Sequence, residues 1–464
     1  MRWTVYRSAF VISFFTCFLM LVWAGFSVIS GTTAGVPRQL AERNKVLSPR
    51  AEATIHYDKE HPASMEPMLT WSKVDGAVCY EIELLSRRPK NPTLPETDEN
   101  CFFSTKKIFI NGFNAAIPDT LRKHSFYWRV RGLDLQGRPI SEFSDVERVF
   151  LDRNQDIQLK PLPVSVFNQG TGTTLLNPVY DWVPVHGATQ YEVEILDAEP
   201  ENPNDIEPSI HRIDSAIVTG SEWYDTHSRV SPMPFYWRVR GLDEEGSPVG
   251  VYSDAGTFRT STEDHFAVAT YGDSITHGGG SLSYTPTDWE YSYQHYLNFQ
   301  SVNLGQSGDT STMTADRFER DVLPFQPKYL IILMGSNSMR IGTDPETIIR
   351  DMETVRTKAL AHHIRPVFLT MPPINPANLK ITFNEDTALN WQGHRETINE
   401  YIRKQIYIDV AAEMTDDYGN LPTALALDGL HPDPAGKKIM ATSINAEWSH
   451  ILQIPDDVWF GHEN

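Results

Sequence analysis

Apolar and polar positions follow three regimes along this chain. In the first, Ala9 through Ile29 is dominated by Phe, Val, Ile, Leu and Trp, and no charged residue occurs from Ser8 to Pro37. A helix needs roughly 20 such residues to cross a bilayer core. Arg2 and Arg7 precede the run, as in a signal peptide or signal anchor. The pattern predicts a transmembrane helix at about 9–29 within an N-terminal segment 1–37. An anchor is favoured because the run is long for a cleaved signal; cleavage after Ala34 stays open, and Arg38, Arg43, Lys45 and Arg50 blur the charge asymmetry.

In the second regime, large apolar and polar residues alternate with the period of two that belongs to strands, and the chain repeats itself. Trp71-Ser-Lys-Val-Asp-Gly-Ala-Val-Cys-Tyr80-Glu-Ile-Glu is echoed from Trp182 to Glu194, an offset of 111 residues. Phe126-Tyr-Trp-Arg-Val-Arg-Gly-Leu-Asp134 recurs from Phe235 to Asp243, an offset of 109. A unit of that length is a whole domain. Turn dipeptides such as Asp75-Gly76 and Gln136-Gly137 separate the runs, so two tandem all-β sandwiches are predicted at 50–155 and 160–262. Alternation puts Trp71, Trp128, Trp182 and Trp237 in their cores, and spacers are the expected role of such modules. The short connector Arg259–Asp264 implies a fixed orientation between the second sandwich and the C-terminal region.

From His265 the runs become short and almost wholly apolar: 266–271, 301–304, 329–334, 366–370 and 406–410. Helical stretches lie between them, the pattern of a parallel sheet covered on both faces. Asp344-Pro345 opens the clearest helix, with Ile348, Ile349, Met352, Val355 and Ala359 on one face. Four polar blocks stand at the ends of these runs or before the last helix: Gly272-Asp-Ser274, Asn303-Leu-Gly-Gln-Ser-Gly308-Asp, Gly335-Ser-Asn337-Ser and Asp428-Gly-Leu-His431. Ligands of open parallel sheets bind outside the carboxyl ends of the strands, so these loops converge on one crevice.

In this order the four blocks resemble those of the SGNH/GDSL hydrolase superfamily, over about residues 265–455. Each block alone is weak evidence; their order carries the resemblance. It implies an α/β/α three-layer, flavodoxin-like domain acting as a carboxylic ester hydrolase. The β blocks upstream resemble fibronectin type III-like domains. A serine hydroxyl needs a base to take its proton, and an imidazole needs a carboxylate to hold its tautomer. Ser274, His431 and Asp428 are the candidate nucleophile, base and orienting acid. The resemblance assigns the oxyanion hole to the backbone N–H groups of Ser274 and Gly308 and the side-chain amide of Asn337. Two departures stand out: Ser338 replaces the acidic residue usual after the third-block Asn, and Gly305 is an additional glycine that the sequence does not account for. Gly-x-Ser-x-Gly, the elbow of the α/β-hydrolases, is absent.

Composition narrows the partners. A formal net charge of −20 over 464 residues lacks the Lys/Arg excess that nucleic acid demands. No residue spacing suggests a metal site, and no cofactor is expected. Cys79 and Cys101 share one predicted domain, and whether they pair is left open. His277, Trp289, Tyr291 and Trp391 are candidate substrate contacts on two stretches, 276–291 and 371–394, that are expected to frame the pocket. The expected substrate is an acylated carbohydrate or other ester, acetyl foremost, with water as second substrate. The expected location is extracytoplasmic, held to the membrane by the N-terminal helix or secreted if that segment is cleaved. Lipid esters, thioesters and acyl transfer remain alternatives, as does a surface adhesion or assembly protein with an inactive hydrolase domain.

Overall fold

A computed structural model describes residues 48–461 apart from 94, 122, 170–173 and 281. The segment 1–37, with its expected membrane helix, lies outside the described residues. Among those described, no helix is long and apolar enough to cross a membrane.

The two repeats fold alike. In the first, Cys101–Ile108, Cys79–Leu85, Ser125–Leu133 and Glu147–Phe150 form an antiparallel sheet in that order, and Met68–Thr70 pairs with Gly112–Asn114 in a smaller one. In the second, Gln190–Leu196 lies between Arg212–Val218 and Phe235–Leu242, opposite a three-stranded sheet centred on Val179–Val183. Trp71, Trp128, Trp182 and Trp237 are all fully buried. The repeated tyrosine makes the same bond in each copy: the Tyr80 hydroxyl accepts from Val74 N at 3.1 Å, and the Tyr191 hydroxyl from Val185 N at 3.0 Å.

The polar positions of the alternation differ from what period two alone implies. Glu81, Glu83, Arg129 and Arg131 are buried, not solvated. They pair across strands, Arg129 with Glu83 at 2.8 Å and Arg131 with Glu81 at 2.7 Å. The second copy repeats this as Arg238 with Glu194 and Arg240 with Glu192. The segment between the first two strands folds over the pairs, and the Pro92 and Glu96 carbonyls accept from Arg129. Buried charges persist where a partner and further hydrogen bonds satisfy them. Cys79 and Cys101 are free thiols: Cys101 sits opposite Leu85, at the far end of the strand that Cys79 begins.

The C-terminal region is an all-parallel sheet with helices. Its strands run, edge to edge, Tyr407–Ile408, Arg365–Leu369, Tyr329–Leu333, Val268–Gly272, Val302–Asn303 and Thr174–Leu175. Five of the six are the apolar runs read from the sequence. The helix Pro345–Ala361 starts at Asp344, whose side chain accepts from Glu346 N, and buries Ile348, Met352, Val355 and Ala359, with Ile349 half-buried. It packs with Trp391–Ile402 and Ser311–Asp316, while Pro434–Ile451 packs with the short turns Trp289–Tyr291 and Tyr293–Tyr296.

The sixth strand departs from the expected division of the chain. Thr174–Leu175 comes from within the segment 160–262 assigned to the second β unit, yet it pairs in parallel with Val302–Asn303 of the hydrolase sheet. Leu176 is fully buried in the core of the α/β domain, and Leu175 in that of the second β unit. A strand edge otherwise left open is thereby covered. The segment 282–291 locks the other side: the Tyr284 hydroxyl donates to Val74 O at 3.0 Å, Ser283 to Val78 O, and Thr285 to the Asp181 carboxylate at 2.9 Å, while Lys73 pairs with Asp288. The three regions thus meet through specific polar contacts.

Candidate active site

The strand Val268–Gly272 lies between the second and third strands of its domain, so the loops leaving its neighbours diverge and open a crevice at its carboxyl end. Ser274 begins a one-turn helix there, Ser274–His277, capped by Asp273, whose carboxylate accepts from Ile275 N. The same fully buried carboxylate accepts from Ser336 N at 3.0 Å and Ser336 Oγ at 2.7 Å, tying the first block to the third. Burial pushes its pKa up, while the Ser336 bonds hold it down.

Ser274, His431 and Asp428 come together. His431 Nε2 lies 2.9 Å from Ser274 Oγ, and His431 Nδ1 lies 2.7 Å from Asp428 Oδ2. The other oxygen of Asp428 accepts from the backbone N–H groups of Leu430 and His431, both at 2.8 Å. That turn fixes the carboxylate before it meets the ring. Lys437, fully buried on the helix Pro434–Ile451, donates to Ile275 O at 2.8 Å and so ties the helix after His431 to the turn of Ser274. Burial drives its ammonium down to about 7, against the pull of Asp433, Asp428 and Asp273.

The candidate oxyanion donors of the second and third blocks are tied together through Asn337 and the residue after Gly308. Gly308 is exposed and has φ +87°, a conformation that favours glycine. Asn337 donates from Nδ2 to Asp309 O at 3.0 Å and accepts at Oδ1 from Arg340 Nε at 3.2 Å. The two bonds fix which end is the amide nitrogen and leave its second hydrogen uncommitted by them. Ser338, in place of the usual acid, accepts from Ser311 N at 2.9 Å, a loop-supporting contact.

The candidate substrate contacts divide differently. His277, Tyr291 and Trp391 are buried, at 1%, 4% and 5% exposure, and only Trp289 is half-buried. Tyr291 stacks on Tyr284 at 4.1 Å in the segment docked against the first β unit, and Trp391 belongs to the core of the α/β domain. The stretch 371–394 is not an open loop either, since it contains the helix Pro376–Phe383 capped by Asn375. Two further contributors carry no signal in the sequence. Phe383 stands edge-on to the His431 ring at 6.4 Å. Arg317, buried between Asp309 and Asp321, donates to Gly272 O and Leu304 O and so binds the first two blocks together.

His277 is held at both ring nitrogens, Nε2 2.8 Å from Asn177 O and Nδ1 2.9 Å from Ser307 Oγ. Burial lowers its pKa to about 4, with Arg317 and Lys437 adding to the effect and the Asn177 bond opposing it. Between pH about 6.5 and about 4 the unfolded chain therefore binds a proton that the native protein refuses. Stability should fall as pH falls through that window, by up to about 3 kcal/mol from this residue. Melting temperatures of wild type and His277→Asn compared at both ends of the window check it: their difference should shrink at the acid end, and a constant difference would refute it.

Among the described residues, no group of three or more His, Cys, Asp or Glu is arranged to hold a metal. Its sequence match makes this parallel-sheet domain one of the ester-hydrolase class. Residues 270–439 match the model of the GDSL-like Lipase/Acylhydrolase family, and the chain carries a domain of that family in its C-terminal part.

The uncharacterized lipoprotein YqeF of Bacillus subtilis is 29% identical over 136 residues, covering 24% of this chain and 51% of that protein. The chain thus spans about half the length of this curated relative. Similar solved structures include a GDSL-like lipase from Bacteroides thetaiotaomicron, at 20% identity and TM-score 0.34, over 41% of this chain and 90% of that one. A lipase/acylhydrolase from Enterococcus faecalis matches at 19% and 0.32, over 40% and 95%. A catalytic mutant of an acetylxylan esterase from Geobacillus stearothermophilus matches at 17% and 0.31, over 39% and 92%.

Proposed function

We propose that this protein is a serine esterase that removes small O-acyl groups, acetyl foremost, from carbohydrate outside the cytoplasm. The observation that carries the reading is the unbroken hydrogen-bond chain from Ser274 Oγ through His431 to Asp428. His431 Nε2 takes the Ser274 proton as Oγ attacks the ester carbonyl, and Asp428 stabilises the imidazolium that forms. The N–H groups of Ser274 and Gly308 and the Asn337 amide receive the charge that develops on oxygen, each donor worth about 3–4 kcal/mol. His431 then gives its proton to the departing sugar hydroxyl. In the second half the same nitrogen takes a proton from the water that attacks the acyl-enzyme and returns it to Ser274 Oγ as the acyl–oxygen bond breaks and the acid leaves.

A short acyl group is supported by the surroundings of the triad. Phe383 offers one apolar wall near His431, whereas Asn337, Arg340 and Glu385 make the neighbouring side chains polar. A long chain needs an apolar channel, gaining about 0.8 kcal/mol per buried methylene. The β units, apolar N-terminal segment and acidic charge fit an extracytoplasmic setting, as does a relative named as a lipoprotein. The test is a p-nitrophenyl ester series: kcat/KM should fall by about tenfold or more from acetyl to octanoyl, with acetate released from acetylated xylan. A rise with chain length would replace the sugar reading with a lipid one.

A further inference from the structure

We propose that the segment Thr174–Asn177, supplied by the second β unit, positions the oxyanion loop of the esterase through His277. This rests on the reading of Ser274 and Gly308 given above. It makes the β unit part of the catalytic apparatus, where a spacer role was the expectation.

Three contacts carry it. Asn177 reaches the α/β domain twice, with its backbone carbonyl accepting from His277 Nε2 at 2.8 Å and its side-chain Nδ2 donating to Gly305 O at 3.0 Å. His277, the last residue of the one-turn helix that Ser274 begins, turns its other nitrogen to Ser307, 3.2 Å from the backbone N and 2.9 Å from Oγ. Ser307 directly precedes Gly308. A carbonyl only accepts and a backbone N–H only donates, so the pattern admits one neutral tautomer, with the proton on Nε2 and the lone pair of Nδ1 facing Ser307. The imidazole is thus a rigid spacer between the β unit and the loop carrying a proposed oxyanion donor.

The surrounding residues are built for this spacer. Gly305 has no room for a side chain, because a Cβ there would meet His277 N at 2.3 Å, which accounts for the extra glycine of the second block. Asn303, fully buried, donates to both Thr276 O and His277 O at 3.0 and 2.9 Å, holding the end of the nucleophile turn. The strand pairing of Thr174–Leu175 with Val302–Asn303 fixes the height of Asn177 relative to all of these. The Tyr224 ring of the second β unit closes the site edge-on to His277 at 6.1 Å.

Asparagine and glutamine separate the two ends of the spacer. In His277→Asn, the side-chain oxygen occupies the Nδ1 position and still accepts from Ser307. In His277→Gln, the amide reaches the Nε2 position and serves Asn177 instead. Measured with full-length protein and p-nitrophenyl acetate, per active site titrated with a fluorophosphonate, the Gln variant should lose about 100-fold in kcat with KM little changed. The Asn variant, which still accepts from Ser307 but has lost its bond to Asn177, should lose about tenfold in kcat, and Asn177→Ala, which removes the bond to Gly305 O, should lose kcat in the same sense.

A kcat loss without a KM change is the signature of a donor engaged only in the transition state. A merely structural role would lower melting temperature and titrated fraction and leave kcat per site alone. Wild-type kcat in the Asn variant, which keeps Ser307 but not Asn177, or equal kcat across all four proteins, overturns the proposal. If neither His277 variant folds, Asn177→Ala, which keeps the carbonyl on His277 and removes the bond to Gly305 O, decides whether the β unit positions this loop: unchanged kcat per site overturns the proposal. Activity that persists in Ser274→Ala sinks the esterase assignment itself, an outcome distinct from unchanged kcat at His277.

Discussion

Ser274→Ala should lower kcat toward p-nitrophenyl acetate by about 10⁶-fold, roughly 8 kcal/mol of barrier, while KM stays within a small factor. Removal of the hydroxyl deletes the attacking atom but leaves the groups that hold the ester. Its Oγ is partnered by His431 Nε2, and the cap that forms the turn comes from Asp273. The alanine variant should therefore melt at or near the wild-type temperature, which separates loss of chemistry from loss of fold. A fluorophosphonate that phosphonylates the wild-type protein should fail to label the variant. Residual kcat within about tenfold of wild type, or persistent labelling, would show that another group attacks the carbonyl.

The fold is legible in the sequence where burial leaves a local pattern, either on both faces of an element or along one of them. Strands such as Tyr329–Leu333 are covered on each side, so every position is apolar and the run stands out. The helix at Pro345 announces itself by cap, proline and one apolar face. The candidate triad is legible because short loops at strand ends keep the chemistry of each block together in sequence, although the blocks lie 157 residues apart. The illegible parts lack a local pattern. Thr174–Leu175 is two residues long, with no period to detect, and it joins a sheet whose other strands begin almost a hundred residues later.

Residue type also misleads where partners are distant. Glu83 and Arg129 are polar letters in an alternating strand, but the ion pair between them allows both to be buried. His277 and Tyr291 follow Ser274 closely in sequence, Trp391 lies in a stretch expected to frame the pocket, and all three carry rings suited to a sugar. Whether such a ring faces solvent or core depends on what packs over it, and here the second β unit, the docked segment and the sheet core cover them. Asp273 gives no sign of its second role in the sequence, because a helix-capping aspartate and one that joins two loops look identical until Ser336 is seen beside it. The same dependence on distant contacts explains how a unit that reads as a spacer comes to touch the residue three places after the candidate nucleophile.

Asp428→Asn should separate tautomer control from loop architecture, with kcat reduced by about 10⁴-fold and the melting temperature held. In the native turn, Oδ1 accepts from Leu430 N and His431 N while Oδ2 faces His431 Nδ1. An asparagine keeps the turn by placing its oxygen toward the two backbone donors, because the flipped amide would set N–H against both of them. Its NH₂ then faces Nδ1 and donates, which forces the imidazole proton onto Nε2. That nitrogen, 2.9 Å from Ser274 Oγ, becomes a donor and no longer accepts the serine proton. Asp428→Ala differs, since it also strips the turn of its acceptor and should lose stability together with activity. An asparagine variant as active as wild type would mean that His431 holds its working tautomer without Asp428, and one that unfolds alongside the alanine variant would show the carboxylate charge, not its shape, to hold the loop.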